Sequence, residues 1–164
     1  MQLRNQVEWA LHCCVILAGL PPAGRLATRA LAELHGVPKE YLSKALQALA
    51  QAGLIDGALG PSGGYCLTRP PEEVTFLDIV EAVEGTASTF VCTQIRDNNP
   101  CIAADAAPDC DRRPCAIARV MWNADRAWRD SLRAVRLSEL LASLDHEIEP
   151  DLRRRTHDWV LARS

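Results

Sequence analysis

No apolar run in this sequence is long enough to cross a bilayer. The run Cys13 to Leu20 has eight residues, against roughly 20 for a spanning helix. Glu8 and His12 interrupt its lead-in and no cleavage site follows, so it does not read as a signal peptide. The expectation is a soluble, cytoplasmic chain with no membrane partner. Lysine is nearly absent: Lys39 and Lys44 are the only two. A formal net charge of −3 excludes a general polycation. There is no defensible nucleophile–base pairing and no phosphate-binding glycine loop leading into a helix, so no enzyme is expected.

What is present is unevenly placed. The chain has 164 residues, 48% of them apolar, enough to bury a core without covalent staples. Residues 1–70 carry six basic side chains (Arg4, Arg25, Arg29, Lys39, Lys44, Arg69) against Glu8, Glu33, Glu40 and Asp56. Their net charge of +2 leaves −5 for the remainder. Nucleic-acid contacts should therefore use the first half. Seven cysteines in a chain without secretion do not suggest a disulfide framework. Four of them, Cys92, Cys101, Cys110 and Cys115, fall in or beside a stretch from Thr86 to Pro114 with neither helical nor strand period. So long a loop is functional or disordered. Cysteines at this density, with Pro108 and Pro114 stiffening the chain, favour a metal centre, and we read it as an iron–sulfur cluster.

Residues 3–19 read as a first helix, with Glu8 and His12 at i, i+4 on one face; a solvated pair is the simpler reading of those two alone. Leu26 to His35 reads as a second helix with Gly36 at its end. Pro38 to Ala52 reads as a third, with Leu42, Ala45, Leu46 and Leu49 inward. Lys39, Tyr41, Ser43, Lys44 and Gln47 are left outside. Two helices joined by a short glycine turn match a helix-turn-helix, or equally an ordinary helical hairpin. The next segment decides between them. Leu54-Ile55-Asp56 and Tyr65-Cys66-Leu67-Thr68 read as strands around the turn-rich residues 57–64, a β-hairpin directly after the recognition helix. Such a wing brings glycine backbone close to a groove or phosphate. The expected DNA contacts are Arg29, Lys39, Tyr41, Ser43, Lys44, Gly60, Pro61, Ser62, Gly63 and Gly64.

Thr75 should cap a helix from Phe76 to Val83, with Glu81 and Glu84 solvated. Ala116 to about Arg136 reads as a long helix, its apolar stripe formed by Ile117, Val120, Met121, Ala124, Trp128, Leu132 and Val135. A stripe of this kind on a long helix suits pairing with a second copy, and a two-fold protein suits a palindromic duplex. Leu137 to His146 reads as a short helix capped by Ser138. The fold class is thus mainly α with a small β-hairpin wing: a winged helix-turn-helix plus a long dimerisation helix. By role the chain divides into a DNA-binding domain at 1–85, a cluster-binding loop at 86–115, and a dimerisation helix with C-terminal tail at 116–164.

These residues resemble a family. Gly36-Val37-Pro38-Lys39-Glu40-Tyr41-Leu42, Gly53-Leu54-Ile55, Gly60-Pro61-Ser62-Gly63-Gly64-Tyr65 and Thr75 through Glu84 look like the winged-helix iron–sulfur regulators typified by IscR and NsrR, and most like their redox-responsive members. The likeness continues through the cysteines into Trp122 and Leu137-Ser138-Glu139-Leu140-Leu141 and covers about 140 residues. It implies a homodimeric transcription factor, typically a repressor, whose operator affinity follows the redox state of a [2Fe–2S] cluster. Two positions depart from the family pattern. Leu59 stands where an Arg often precedes the wing Gly-Pro, and Ser43 where a Glu often follows the recognition-helix Tyr, so a different operator is expected.

The resemblance also bears on the ligands. Cys110 and Cys115 match the last two family cysteines, and Ala118 occupies a position where some members carry a ligating His. The first family cysteine is displaced here to Cys101 or Cys92. In NsrR-like members an acidic residue of the first helix, from the other subunit, supplies a ligand. Glu8 holds that place, with His12 one turn on. The preferred set is therefore Cys110 and Cys115 from one chain with Glu8 and His12 from the other. Mixed ligation has a precedent in Rieske centres. The alternatives are a [4Fe–4S] cluster on Glu8 and three cysteines, which would suit nitric oxide sensing, and an all-cysteine site on Cys92, Cys101, Cys110 and Cys115. An electron carrier and a structural zinc site are the rival functions. Trp9, beside Glu8, could repack with the cluster's redox state or be a plain core aromatic. Cys13, Cys14 and Cys66 read as small core residues.

Overall fold

The computed structural model describes residues 3–60, 63–98, 100 and 114–164. The expected sites Pro61, Ser62, Cys101 and Cys110 lie outside the described residues. The chain divides into two compact units: residues 1–86 with 132–164, and residues 87–131.

In the first unit, α1 (Asn5–Ala18), α2 (Thr28–His35), α3 (Lys39–Gln51) and α4 (Phe76–Glu84) surround one core. The buried residues of α3 are Leu42, Ala45, Leu46 and Leu49, the single stripe that i, i+3, i+4, i+7 spacing produces. Each fully buried leucine contributes about 1.5–3 kcal/mol of transfer free energy. α1 packs directly on both α3 and α4. It buries Val7, Ala10, Cys13, Cys14 and Leu17, so Cys13 and Cys14 are core residues as expected. Cys66, in contrast, is half-buried and lies outside that core. α2 starts later than expected because Leu26 is taken by a β-bridge to Tyr65.

The hairpin joins β1 (Ile55–Ala58) and β2 (Gly64–Leu67), antiparallel, with Ile55 opposite Leu67 and Ala58 opposite Gly64. Leu26 extends it by one rung, through Leu26 N–H to Tyr65 O (3.0 Å) and Tyr65 N–H to Leu26 O (2.9 Å). The wing is thus tied to the chain entering α2. Arg25 reinforces the joint: its guanidinium donates to the Asp56 carboxylate at 2.5 Å and to the carbonyls of Asp56 and Gly64.

α4 begins with a reciprocal cap. Thr75 Oγ1 accepts from the Asp78 N–H and Asp78 Oδ2 from the Thr75 N–H, which satisfies two orphan donors. Glu84, expected to be solvated, instead accepts from the Arg4 backbone N–H (2.8 Å) and the Arg4 Nε (3.1 Å). These contacts join the start of α1 to the end of α4, and the hydrogen bonds from Arg4 hold the Glu84 carboxyl below its ordinary range. A lowered folded-state value means that the pair's contribution is full at neutral pH and vanishes as acid protonates the carboxylate. Glu84→Gln should cost about 0.5–1 kcal/mol at pH 7 and nothing once Glu84 is protonated in both states. Urea midpoints at neutral and acid pH check this.

α6 (Leu137–Glu147) and α7 (Pro150–Leu161) complete the first unit. Phe76 N–H bonds to Val135 O, and Leu137 N–H to Val74 O. Val135 therefore lies beyond the long helix and not on its stripe. Ser138 does not cap α6; Arg136 occupies that place, and Glu139 Oε2 accepts its N–H at 3.0 Å. α7 is capped by Glu149, whose carboxylate accepts from Asp151 and Leu152. Its arginines are paired locally: Arg153 with Asp145, and Arg154 and Arg155 with Asp151.

The second unit holds a 3₁₀ turn, Ile95–Asn98, and most of α5 (Ala116–Arg133). Residues 87–90 run along α5 on fixed polar contacts. Asp125 accepts from Thr89 Oγ1 (2.8 Å) and N–H, and from Arg129 Nε (3.1 Å). Trp122 Nε1 donates to Phe90 O. Thr89 first, then Arg129, holds the Asp125 carboxyl below its usual range.

Candidate functional site

The DNA-facing candidates lie on the first unit. Gly36 closes α2 at φ +63°, a left-handed turn that glycine adopts without strain, and α3 starts two residues after Val37. On α3, Lys39, Tyr41 and Lys44 are exposed, with the Lys44 Nζ 5.8 Å from the Tyr41 ring centroid. Ser43 Oγ donates to Lys39 O at 2.8 Å, so in this rotamer its hydroxyl can accept from a base amino group but has no proton left for a phosphate oxygen. Arg29 is exposed on α2, and Gly60 and Gly63 lie at or near the surface of the wing. Gly64 is different. It is buried, and a Cβ there would sit 2.6 Å from the Leu26 carbonyl carbon. It seats the wing against the chain entering α2.

If both lysines contact phosphates, Lys39→Gln with Lys44→Gln should lower the slope of log affinity against log salt by about 1.8, at roughly 0.9 per phosphate. Fluorescence anisotropy over a salt series measures it.

Glu8 and His12 are exposed on α1 and line one shallow groove with Leu3, Leu11, Phe76 and Leu140. The helix spacing thus puts both donors on one accessible face. His12 also meets His35, ring centroids 5.6 Å apart. Sequence reading missed this neighbour, because α1 and the end of α2 meet only through the fold. His35 is half-buried, and its Nε2 has no hydrogen-bond partner among the described residues. Burial, then the neighbouring His12, pushes its pKa down. Trp9 packs part-buried against the core.

The two described thiol candidates, Cys92 and Cys115, lie in the second unit. Cys115 immediately precedes α5, and its Sγ accepts the Ala118 N–H at 3.3 Å. That hydrogen bond, followed by one from the Cys92 side chain and one from the Ile117 N–H, holds the Cys115 thiol below the ordinary range. Cys92 and Cys115 share a cavity of about 420 Å³ with Phe90, Arg96, Pro114 and Trp122. The fold therefore brings together two cysteines separated by 23 positions, a pairing that spacing alone does not reveal. Ala118 is fully buried, leaving no room for a histidine there. Cys13 and Cys14 are poor donors by comparison, since burial pushes the Cys13 thiol up to about 12 and Cys14 higher still.

A thiol whose ionisation is favoured by helix N-terminal amides, a second thiol in the same cavity, and exposed carboxylate and imidazole groups elsewhere fit the donor chemistry of an iron–sulfur cluster. No helix among the described residues is long and apolar enough to cross a membrane.

Residues 3–143 match the Rrf2 family, described as an iron-dependent transcriptional regulator. The chain is 33% identical over 90 residues to the putative HTH-type transcriptional regulator YwgB of Bacillus subtilis, a match covering 55% of this chain and 58% of that protein. It is 30% identical to the HTH-type transcriptional repressor NsrR of Streptomyces coelicolor, over 87% of this chain and 90% of that one. Among solved structures it resembles CymR, the global cysteine regulator of B. subtilis, with a TM-score of 0.65 at 22% identity, covering 87% of this chain and 98% of the other. The relatives bear the names of transcriptional regulators, and the mostly helical fold with its two-stranded hairpin is the winged helix of that group.

Proposed function

The chain belongs to the Rrf2 family of transcriptional regulators, and from that premise we propose that it is a homodimeric repressor whose affinity for a palindromic operator follows the redox state of a [2Fe–2S] cluster. The observation that carries the cluster is Cys115: its sulfur accepts an amide hydrogen bond at the head of α5, which favours the thiolate. When bound, such a cluster supplies one-electron redox chemistry. Cys110 and Cys115 of one chain and Glu8 and His12 of the other are the proposed ligands. Glu8 and His12 are suited to this by their exposure on one face of α1. Because α1 packs on α3, a change at those side chains acts on the helix that carries Lys39 and Lys44. Ile117, Val120 and Met121, all exposed on α5, supply the apolar surface for a second copy.

One observation favours a second ligand set. The cavity that Cys92 and Cys115 share supports a site held by Cys92, Cys101, Cys110 and Cys115. Native mass spectrometry of anaerobically purified protein, with an absorption spectrum, tests the reading. A dimer carrying two [2Fe–2S] units is expected. A zinc-loaded or metal-free dimer overturns the cluster, and a monomer overturns the two-chain site.

A further inference from the structure

We propose that Leu59, at the tip of the wing, makes an apolar contact in the DNA minor groove and selects an easily deformed base step there. The inference rests on the DNA-binding role above and adds a specificity determinant to it. Leu59 is 102% exposed, the most exposed of the large apolar side chains among the described residues. Single exposed leucines are common; the position of this one separates it from them. It directly follows Ala58, the last residue of β1. The hairpin that carries it is fixed to the chain entering α2 by the Leu26–Tyr65 bridge and by Arg25. The leucine is thus presented by a supported hairpin and not by a loose loop.

Charge completes the argument. Between Asp56 and Arg69 the sequence has no ionisable Lys, Arg, Asp or Glu. Asp56 is paired with Arg25 at the base of the wing, leaving the tip neutral. A narrow A-tract groove owes its attraction to negative potential and recruits cations. A neutral apolar tip gains nothing from that field. It gains from contact with sugar and base edges where the stack opens, and leucine is among the wedges that minor-groove proteins insert between base steps. Pyrimidine–purine steps such as TA and CA/TG open most readily.

The test is in vitro selection from a randomised 40-base-pair duplex library with full-length wild-type, Leu59→Ala and Leu59→Arg proteins, followed by anisotropy on the selected duplex. Replacing the flexible step under the wing by an A-tract should weaken wild-type binding about tenfold, the scale of a single mismatched pair. Leu59→Ala should reduce that discrimination to under about threefold. Leu59→Arg should reverse it and steepen the salt dependence by about 0.9, one added phosphate-scale contact. Unchanged melting temperatures should accompany both variants, since the side chain is fully exposed among the described residues. If Leu59→Ala selects the same flanks with the same discrimination, the wing-tip inference is wrong and DNA binding stands. If the wild type enriches no sequence in either the oxidised or the reduced state, the DNA-binding role falls and this inference with it.

Discussion

Cys115→Ala is expected to leave the purified protein without iron. Its thiol is the described cysteine whose ionisation the fold assists, through amide hydrogen bonds at the start of α5 and the neighbouring Cys92. Iron–sulfur clusters bind thiolates, and a ligand with no substitute takes the cluster with it. The same measurement on three further variants separates the ligand sets. With Glu8, His12, Cys110 and Cys115 as ligands, Cys92→Ser retains full iron. Glu8→Ala and His12→Ala alter the absorption spectrum and the potential. With four cysteines as ligands, Cys92→Ser loses iron as Cys115→Ala does, and the two α1 variants leave spectrum and potential untouched. Full iron in Cys115→Ala would sink both sets. Cys14→Ala serves as a control: its thiol is buried and its pKa raised, so iron content should not change.

Gly64→Ala is the substitution expected to damage the DNA-binding face most. An added methyl group would lie 2.6 Å from the Leu26 carbonyl carbon and 2.7 Å from its oxygen, at a backbone φ of +151°. Backbone cannot yield as the end of a side chain can. The β2 strand must therefore move from Leu26, releasing the two hydrogen bonds between Leu26 and Tyr65. Two such bonds contribute about 1–3 kcal/mol together, and the strained dihedral adds about 1–3 kcal/mol. The expected loss, about 2–6 kcal/mol, falls on the seating of the wing. Hydrogen exchange should show the Tyr65 amide losing protection while the Leu46 amide in α3 keeps it. Equal protection of Tyr65 in variant and wild type would refute this account.

The contrast between Leu46 and Gly64 shows how far the sequence reaches. Leu42, Ala45, Leu46 and Leu49 announce their burial because one helix face repeats every 3.6 residues. The same local rule located α1 to α4, and alternation between turn residues located the hairpin. Thr75 was legible as a cap because its partner Asp78 is three residues away. Ser138 was misread as one because Arg136, stitched to the segment before α4, had already taken the position. The Arg4–Glu84 tie, the Leu26 bridge and the His12–His35 contact were not legible. Their partners are remote in sequence, and periodicity carries no information about which faces meet.

For the candidate site the division is the same. The sequence alone supplied the residue types: the only two lysines on one helix, a neutral glycine wing, cysteines crowded into an aperiodic stretch, and Glu8 and His12 one helical turn apart. From these followed the expectation of a winged helix, and the motifs from Gly36 to Glu84 carried the resemblance to the family to which the chain belongs. Tertiary structure alone decided that Gly64 is buried and seats the wing while Leu59 is bare at its tip. It also decided that Cys92 lies against Cys115, and that Cys115 receives the Ala118 amide. Composition and spacing fix which chemistry a chain can offer. Hydrogen bonds and desolvation depend on neighbours that only folding assembles, and those neighbours decide which thiol is favoured to ionise and which glycine is replaceable.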